Sequence, residues 1–162
     1  MVEISLAELT EQFRKQFERA CEMEIKNLDY AIEIYANILK QQPGCLEVRK
    51  KLRSAQLKKS RGNTTIANFL GKVTAAPFRV RGKAKIEKDP INAMEEAEKA
   101  IASNPRNIVA GNLLAEAATA AGFHGTAVFA RETIREFDPS NLQNLKALAQ
   151  THLANEDTEN AI

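Results

Sequence analysis

The sequence predicts an all-α fold, an array of paired helices, and three observations carry that prediction. Ala93, Ala127 and Ala161 are evenly spaced, as are Val80, Leu114 and Leu148, and their shared interval, about 34 residues, is the period of stacked helix pairs. Apolar residues make up 44% of the chain but aromatic ones only 6%, with no Trp. The interior must therefore be built mainly from Ala, Leu, Ile and Val, and such alanine density suits closely packed helices better than sheets. Finally, the apolar residues recur at helical spacing in segment after segment. With 162 residues the chain can bury a core without disulfides or metal.

Taken in order, Ser5 with Glu8 forms a capping box, and Leu9, Phe13, Phe17 and Ala20 follow at helical spacing, which predicts a first helix over 5–25. A second begins after Asn27, with Tyr30, Ala31, Ile34, Tyr35 and Ile38 as its apolar face, and Pro43-Gly44 stops it. Leu46, Val48, Leu52 and Ala55 predict a third, shorter helix that is heavily basic on its other side. Ser60-Arg61-Gly62-Asn63 is turn chemistry. Strict spacing would place the next copy of Ala31 at position 65, yet it recurs at Ala93, which implies an insertion between the two. Within it Ile66, Phe69, Leu70 and Val73 predict a short amphipathic helix over 64–75 that docks on the array.

From Pro77 onward the period is strict. Asp89-Pro90 caps and opens a helix whose buried face is Ala93, Met94, Ala97, Ala100 and Ile101. Asn104-Pro105-Arg106-Asn107 turns the chain, and Asp138-Pro139-Ser140-Asn141 does so again one period later. Between the turns lie Leu113, Leu114 and Ala118 on one helix, Gly122 as its left-handed stop, and Ala127, Val128 and Ile134 on the next. A last unit opens with Leu145, Leu148, Ala149 and His152 and is unfinished at Ile162. The organisation is thus degenerate helices over 1–60, a basic insertion over 61–76, and a regular array over 77–162. The unfinished unit leaves Leu145, Leu148 and Ile162 without a polar cap, which marks self-association there, or a stretch of a longer array.

Leu114 and Ala115 as a paired site, Gly122 in the turn, Ala127 on the second helix and Pro139 at its end resemble the tetratricopeptide repeat family. Val80, Arg81, Lys88, Ala93 and Pro105 are the equivalents in the preceding unit, and Leu148, Ala149, Glu156 and Ala161 in the last. Gly111 and Leu145 stand at the family's Trp position, and Ala118 and His152 at its Tyr. A fainter copy covers 13–45, with Phe13, Phe17 and Ala20 before Ala31, Tyr35 and Pro43. The resemblance implies a right-handed superhelical array of antiparallel helix pairs that binds partners on its concave face and has no enzymatic activity.

That groove would be lined by three stripes: Phe78, Gly82 and Lys85; Asn112, Glu116 and Thr119; Lys146, Gln150 and Leu153. Spacings of four and three keep each stripe on one helix face. Amide side chains there suit an extended peptide backbone, and the lysines suit acids, so the expected partner is a peptide or helix of another protein. Some family members clamp a terminal carboxylate with Lys and Asn four apart, but here Lys146 is followed by Gln150 and Asn112 by Glu116, whose charge would repel such a ligand.

The net charge is +2, but it is unevenly spread: residues 49–88 hold thirteen Lys and Arg against one acid, and the rest ten against twenty. Lys58, Lys59, Arg61, Lys72, Arg79, Arg81 and Lys83 are therefore the candidates for an alternative reading, nucleic-acid or other polyanion binding. Only Phe69 and Phe78 offer bases a stacking surface there, and the duller account is that this segment pairs with the acids of the others. His124 and His152 have no neighbouring nucleophile or acid pair, and no phosphate loop is present, so neither catalysis nor a cofactor is expected. Cys21 and Cys45 form no CxxC pair, which predicts two reduced thiols and no metal site. With no basic-then-apolar start and no run of eighteen apolar residues, the sequence predicts a cytoplasmic protein without a membrane span.

Overall fold

In a computed structural model the described residues, 2–62 and 86–159, form seven α-helices and one single-turn 3-10 helix. They are α1 (Glu11–Lys26), α2 (Leu28–Gln41), α3 (Leu46–Gly62), α4 (Pro90–Ser103), α5 (Ile108–Ala120), α6 (His124–Phe137) and α7 (Leu142–Glu159), with the 3-10 turn at Leu6–Glu8. The chain divides into two compact units, Met1–Phe69 and Leu70–Ile162. The predicted helix over 64–75 lies outside the described residues.

In the first unit α2 packs on both α1 and α3. One residue separates α1 from α2: the Asn27 amide donates to the Met23 carbonyl at 2.7 Å, closing α1, while its side chain accepts from the Tyr30 amide at 3.1 Å, opening α2. Satisfying both helix ends with one residue leaves no slack, so the two helices must pack directly. The core is Leu9, Phe13, Ala20, Ala31, Tyr35, Ile38, Leu39, Val48, Leu52 and Ala55. Tyr30, expected on the buried face, is exposed, with the Arg19 guanidinium over its ring at 5.6 Å.

Two expectations fail here for tertiary reasons. The Ser5–Glu8 capping box forms, with both the Ser5 amide and hydroxyl donating to Glu8 at 2.7 Å, and these bonds hold the Glu8 carboxyl below its ordinary pKa. It closes only the 3-10 turn, however. Leu9 and Thr10 are extended, and α1 opens at Glu11. The Ile4 amide is bonded to the Gly44 carbonyl at 3.0 Å, and this tie to the α2–α3 turn directs the chain away from a continuous helix. The third helix is not short: α3 has 17 residues and runs through the expected turn to Gly62. Ser60 bonds back to the Leu57 carbonyl at 2.9 Å, and Lys58 and Lys59 are ion-paired to Glu24 and Asp29, which holds the last turns against α1 and α2. Nor is the basic character confined to its outer side. Arg49 is 1% exposed and donates to the Pro43 carbonyl at 2.9 Å, and Arg53 is buried beside Gln56.

In the second unit the sequence period reappears as geometry. The bounds of α4 and α6, Pro90–Ser103 and His124–Phe137, differ by that interval at both ends, and α5 and α7 begin one period apart at Ile108 and Leu142. Their caps repeat too. Asn107 accepts from the Ala110 amide at 3.1 Å and Asn141 from the Asn144 amide at 3.0 Å, each taking one orphan donor of a helix start. Asp89 caps α4 in the same way ahead of Pro90. At the end of α5, Gly122 has φ of 78°, and the Phe123 amide donates back to the Ala118 carbonyl at 2.8 Å. That left-handed stop carries the fully buried Phe123 into the core as the residue after the cap. The core is Ala93, Met94, Ala97, Ile101, Ala110, Leu113, Leu114, Ala117, Ala118, Phe123, Ala127 and Ala130, and its alanines let α5 lie close to both α4 and α6. A Cβ at Gly111 would sit 3.0 Å from Ile134 Cγ1, so nothing larger than glycine fits at this contact of α5 with α6 without displacing the buried Ile134.

Candidate functional site

Of the three expected stripes, the first, Phe78, Gly82 and Lys85, lies outside the described residues. On α5, Glu116 and Thr119 are exposed and Asn112 is half-buried; on α7, Lys146, Gln150 and Leu153 are exposed. Thr119 directs its hydroxyl to the Ala115 carbonyl at 2.9 Å, so it offers a ligand less than its composition suggests. Both helices pack on α6.

The residue that bonds to both α5 and α7 is Arg131 on α6. It is nine-tenths buried, at 9% exposure. Its Nη1 donates to Asn112 Oδ1 on α5 at a long 3.4 Å, and its carbonyl accepts from Asn144 Nδ2 on α7 at 2.9 Å. Arg131 Nε and Asn144 Oδ1 are buried without a partner among the described residues. Burial lowers the guanidinium pKa from its ordinary value, and the charge of Glu116 acts the other way. A buried cation without a contacting carboxylate is a costly arrangement.

Nothing in the local sequence singles out Arg131 or Asn144, yet the repeat marks both. Arg131 stands one period after Ala97 and Asn144 one period after Ala110, and both alanines are fully buried. The second copy of the unit therefore places a polar pair where the first places two methyl groups. Asn144 also sets the rotation of α7. Asn144, Leu148 and Thr151 face inward, whereas Ala149 and His152, expected on the apolar face, are exposed, with His152 Nε2 3.6 Å from Glu132 Oε1. Leu148 is covered at 5% exposure and Leu145 is half-buried, so neither is the open apolar surface expected of an unfinished unit; the exposed large apolar residues described on α7 are Leu142 and Leu153. Ile162 lies outside the described residues.

Among the polyanion candidates, Lys72, Arg79, Arg81 and Lys83 are outside the described residues. Lys58 is bonded to Glu24 at 2.7 Å and Lys59 to Asp29 at 2.5 Å, and Lys51 lies 3.5 Å from Glu24. Arg61 is exposed and has a partner. Much of the basic surface of α3 is thus paired with acids of α1 and α2.

Cys21 and Cys45 are free thiols, and burial pushes the Cys45 pKa up. Among the described residues no three His, Cys, Asp or Glu side chains converge as metal ligands would, and no helix is long and apolar enough to cross a membrane. Compared with known protein families, curated proteins and solved structures, the chain gives no match.

Proposed function

We propose that this chain is a non-catalytic docking scaffold of the tetratricopeptide type, a right-handed superhelical array of antiparallel helix pairs that takes a peptide or helix of a partner protein. The observation that supports the reading is a recurrence at the sequence period in the second unit: both bounds of α4 recur in α6, and the start of α5 with its asparagine cap recurs in α7. Two like units set side by side turn equivalent helices toward the same side, and their exposed rows then form one continuous surface. On α5 and α7 those rows are Asn112, Glu116 and Thr119, and Lys146, Gln150 and Leu153, a mixture of charge, amide and one exposed apolar side chain that suits an extended backbone with polar side chains. The protein would act in the cytoplasm, and the ion pairs of α3 favour this reading over polyanion binding.

The test uses three exposed residues that leave the core untouched. A partner captured by the wild-type chain should bind the Thr119→Ala, Lys146→Ala, Gln150→Ala variant about 10- to 100-fold more weakly, the effect of truncating one or two residues that dominate an interface. Equal capture by a variant with unchanged helical content would reject these rows as the docking face.

A further inference from the structure

From the geometry around Arg131 we infer a recognition point for a single carboxylate side chain, Asp or Glu, of a bound segment, formed by the Arg131 guanidinium and the Asn112 side-chain amide. The inference deepens the docking reading and rests on it. Three observations lead there. Arg131 is nine-tenths buried, its only hydrogen bond from the guanidinium among the described residues is the 3.4 Å contact with Asn112, and its Nε has none. Because Asn112 commits Oδ1 to Arg131, what it has left to offer a ligand is Nδ2, a donor. Arg131 Nε on α6 and Asn112 Nδ2 on α5 are thus donors on two residues in contact, neither with an acceptor among the described residues.

The repeat gives the second line of argument. One period before Arg131 stands Ala97, which packs as a fully buried methyl group, as does Ala110 one period before Asn144, so neither polar side chain is needed for the helices to pack. An arginine set into such a position with incomplete hydrogen bonding works against stability, and departures of this kind concentrate at binding sites.

Charge decides the class of ligand. Glu116 is exposed one turn along α5 from Asn112, and its field reaches Arg131 although the two are not ion-paired. Together they are neutral, so a monoanion with two acceptor oxygens matches the planar guanidinium, whereas a dianionic phosphate would face Glu116 with excess negative charge. Glu116 also acts as a competitor, since its own carboxylate repels the incoming one.

The experiment follows the Arg131 Nε–Hε and Asn112 Nδ2 signals in isotope-labelled full-length protein by NMR. The probe is an N-acetylated, C-amidated hexaglutamate peptide, with hexaglutamine and inorganic phosphate as controls. Hexaglutamate should shift both signals saturably and hexaglutamine should not, and phosphate should have at most a weak effect. Glu116→Gln, a change at an exposed site, should tighten the probe several-fold. Arg131→Met should abolish the Asn112 response while the backbone spectrum stays dispersed. No movement of either signal, an equal response to phosphate, or an unaltered Asn112 response in Arg131→Met would overturn the inference. Because the capture experiment varies Thr119, Lys146 and Gln150 together and leaves Arg131, Asn112 and Glu116 in place, a partner lost there with Arg131 silent defeats only the carboxylate assignment. A responsive Arg131 with no groove-dependent capture defeats only the scaffold reading.

Discussion

Ala97→Arg should destabilise the second unit by about 3–5 kcal/mol, the cost of an uncompensated charge in a packed interior, whereas Arg131→Met should leave it unchanged or stabilise it by about 1–4 kcal/mol. The two positions are one repeat apart and both are buried, so the contrast isolates what differs between them. Ala97 lies within the apolar core of the unit; Arg131 has Asn112 at its guanidinium and Asn144 at its carbonyl. Native-state hydrogen exchange of the amides of α4–α7 reads both variants without interference from the first unit. Similar costs for the two substitutions would mean that Arg131 is an ordinary, well-solvated core arginine.

Glu24→Ala should destabilise the first unit by about 2–4 kcal/mol, through loss of the charged acceptor of a buried hydroxyl, with a smaller part from two half-exposed lysines. The Glu24 side chain is 8% exposed, accepts from the Tyr35 hydroxyl at 2.8 Å and from Lys58 at 2.7 Å, and lies 3.5 Å from Lys51. Without it the fully buried Tyr35 hydroxyl keeps only the Cys21 sulfur, 3.3 Å away and a weak acceptor. The same contacts set a pH dependence. Burial raises the Glu24 pKa, but the hydrogen bonds from Lys58 and Tyr35 and the lysine charges outweigh it, so the folded value lies below the ordinary 4.5. A depressed carboxylate contributes stability that is complete above its unfolded pKa and is lost as the pH falls through the folded one. Urea midpoints of the first unit should therefore drop between pH 6 and about pH 3, and drop less in Glu24→Gln. An identical acid response in that variant would remove Glu24 from the explanation.

What the sequence makes legible is whatever local chemistry decides. Asn27, Asp89-Pro90, Asn107 and Gly122 satisfy helix ends within a few residues of themselves, and each stands at the end the sequence assigns to it. The departures fall where a distant partner decides. The extended Leu9–Thr10 depends on Gly44, the length of α3 on Glu24 and Asp29, and the rotation of α7 on the Arg131 carbonyl. Arg131 itself escapes a local reading because a charge within an apolar stripe reads as an exposed interruption of it. Only alignment with Ala97 reveals that its position belongs to the core.

The stacking of like units is tested most directly by helix orientations in weakly aligned, isotope-labelled protein, from backbone residual dipolar couplings. One right-handed rotation that carries α4 onto α6 should carry α5 onto α7 as well. Two different rotations for the two pairs would show that the sequence period repeats along the chain without generating a shared docking face.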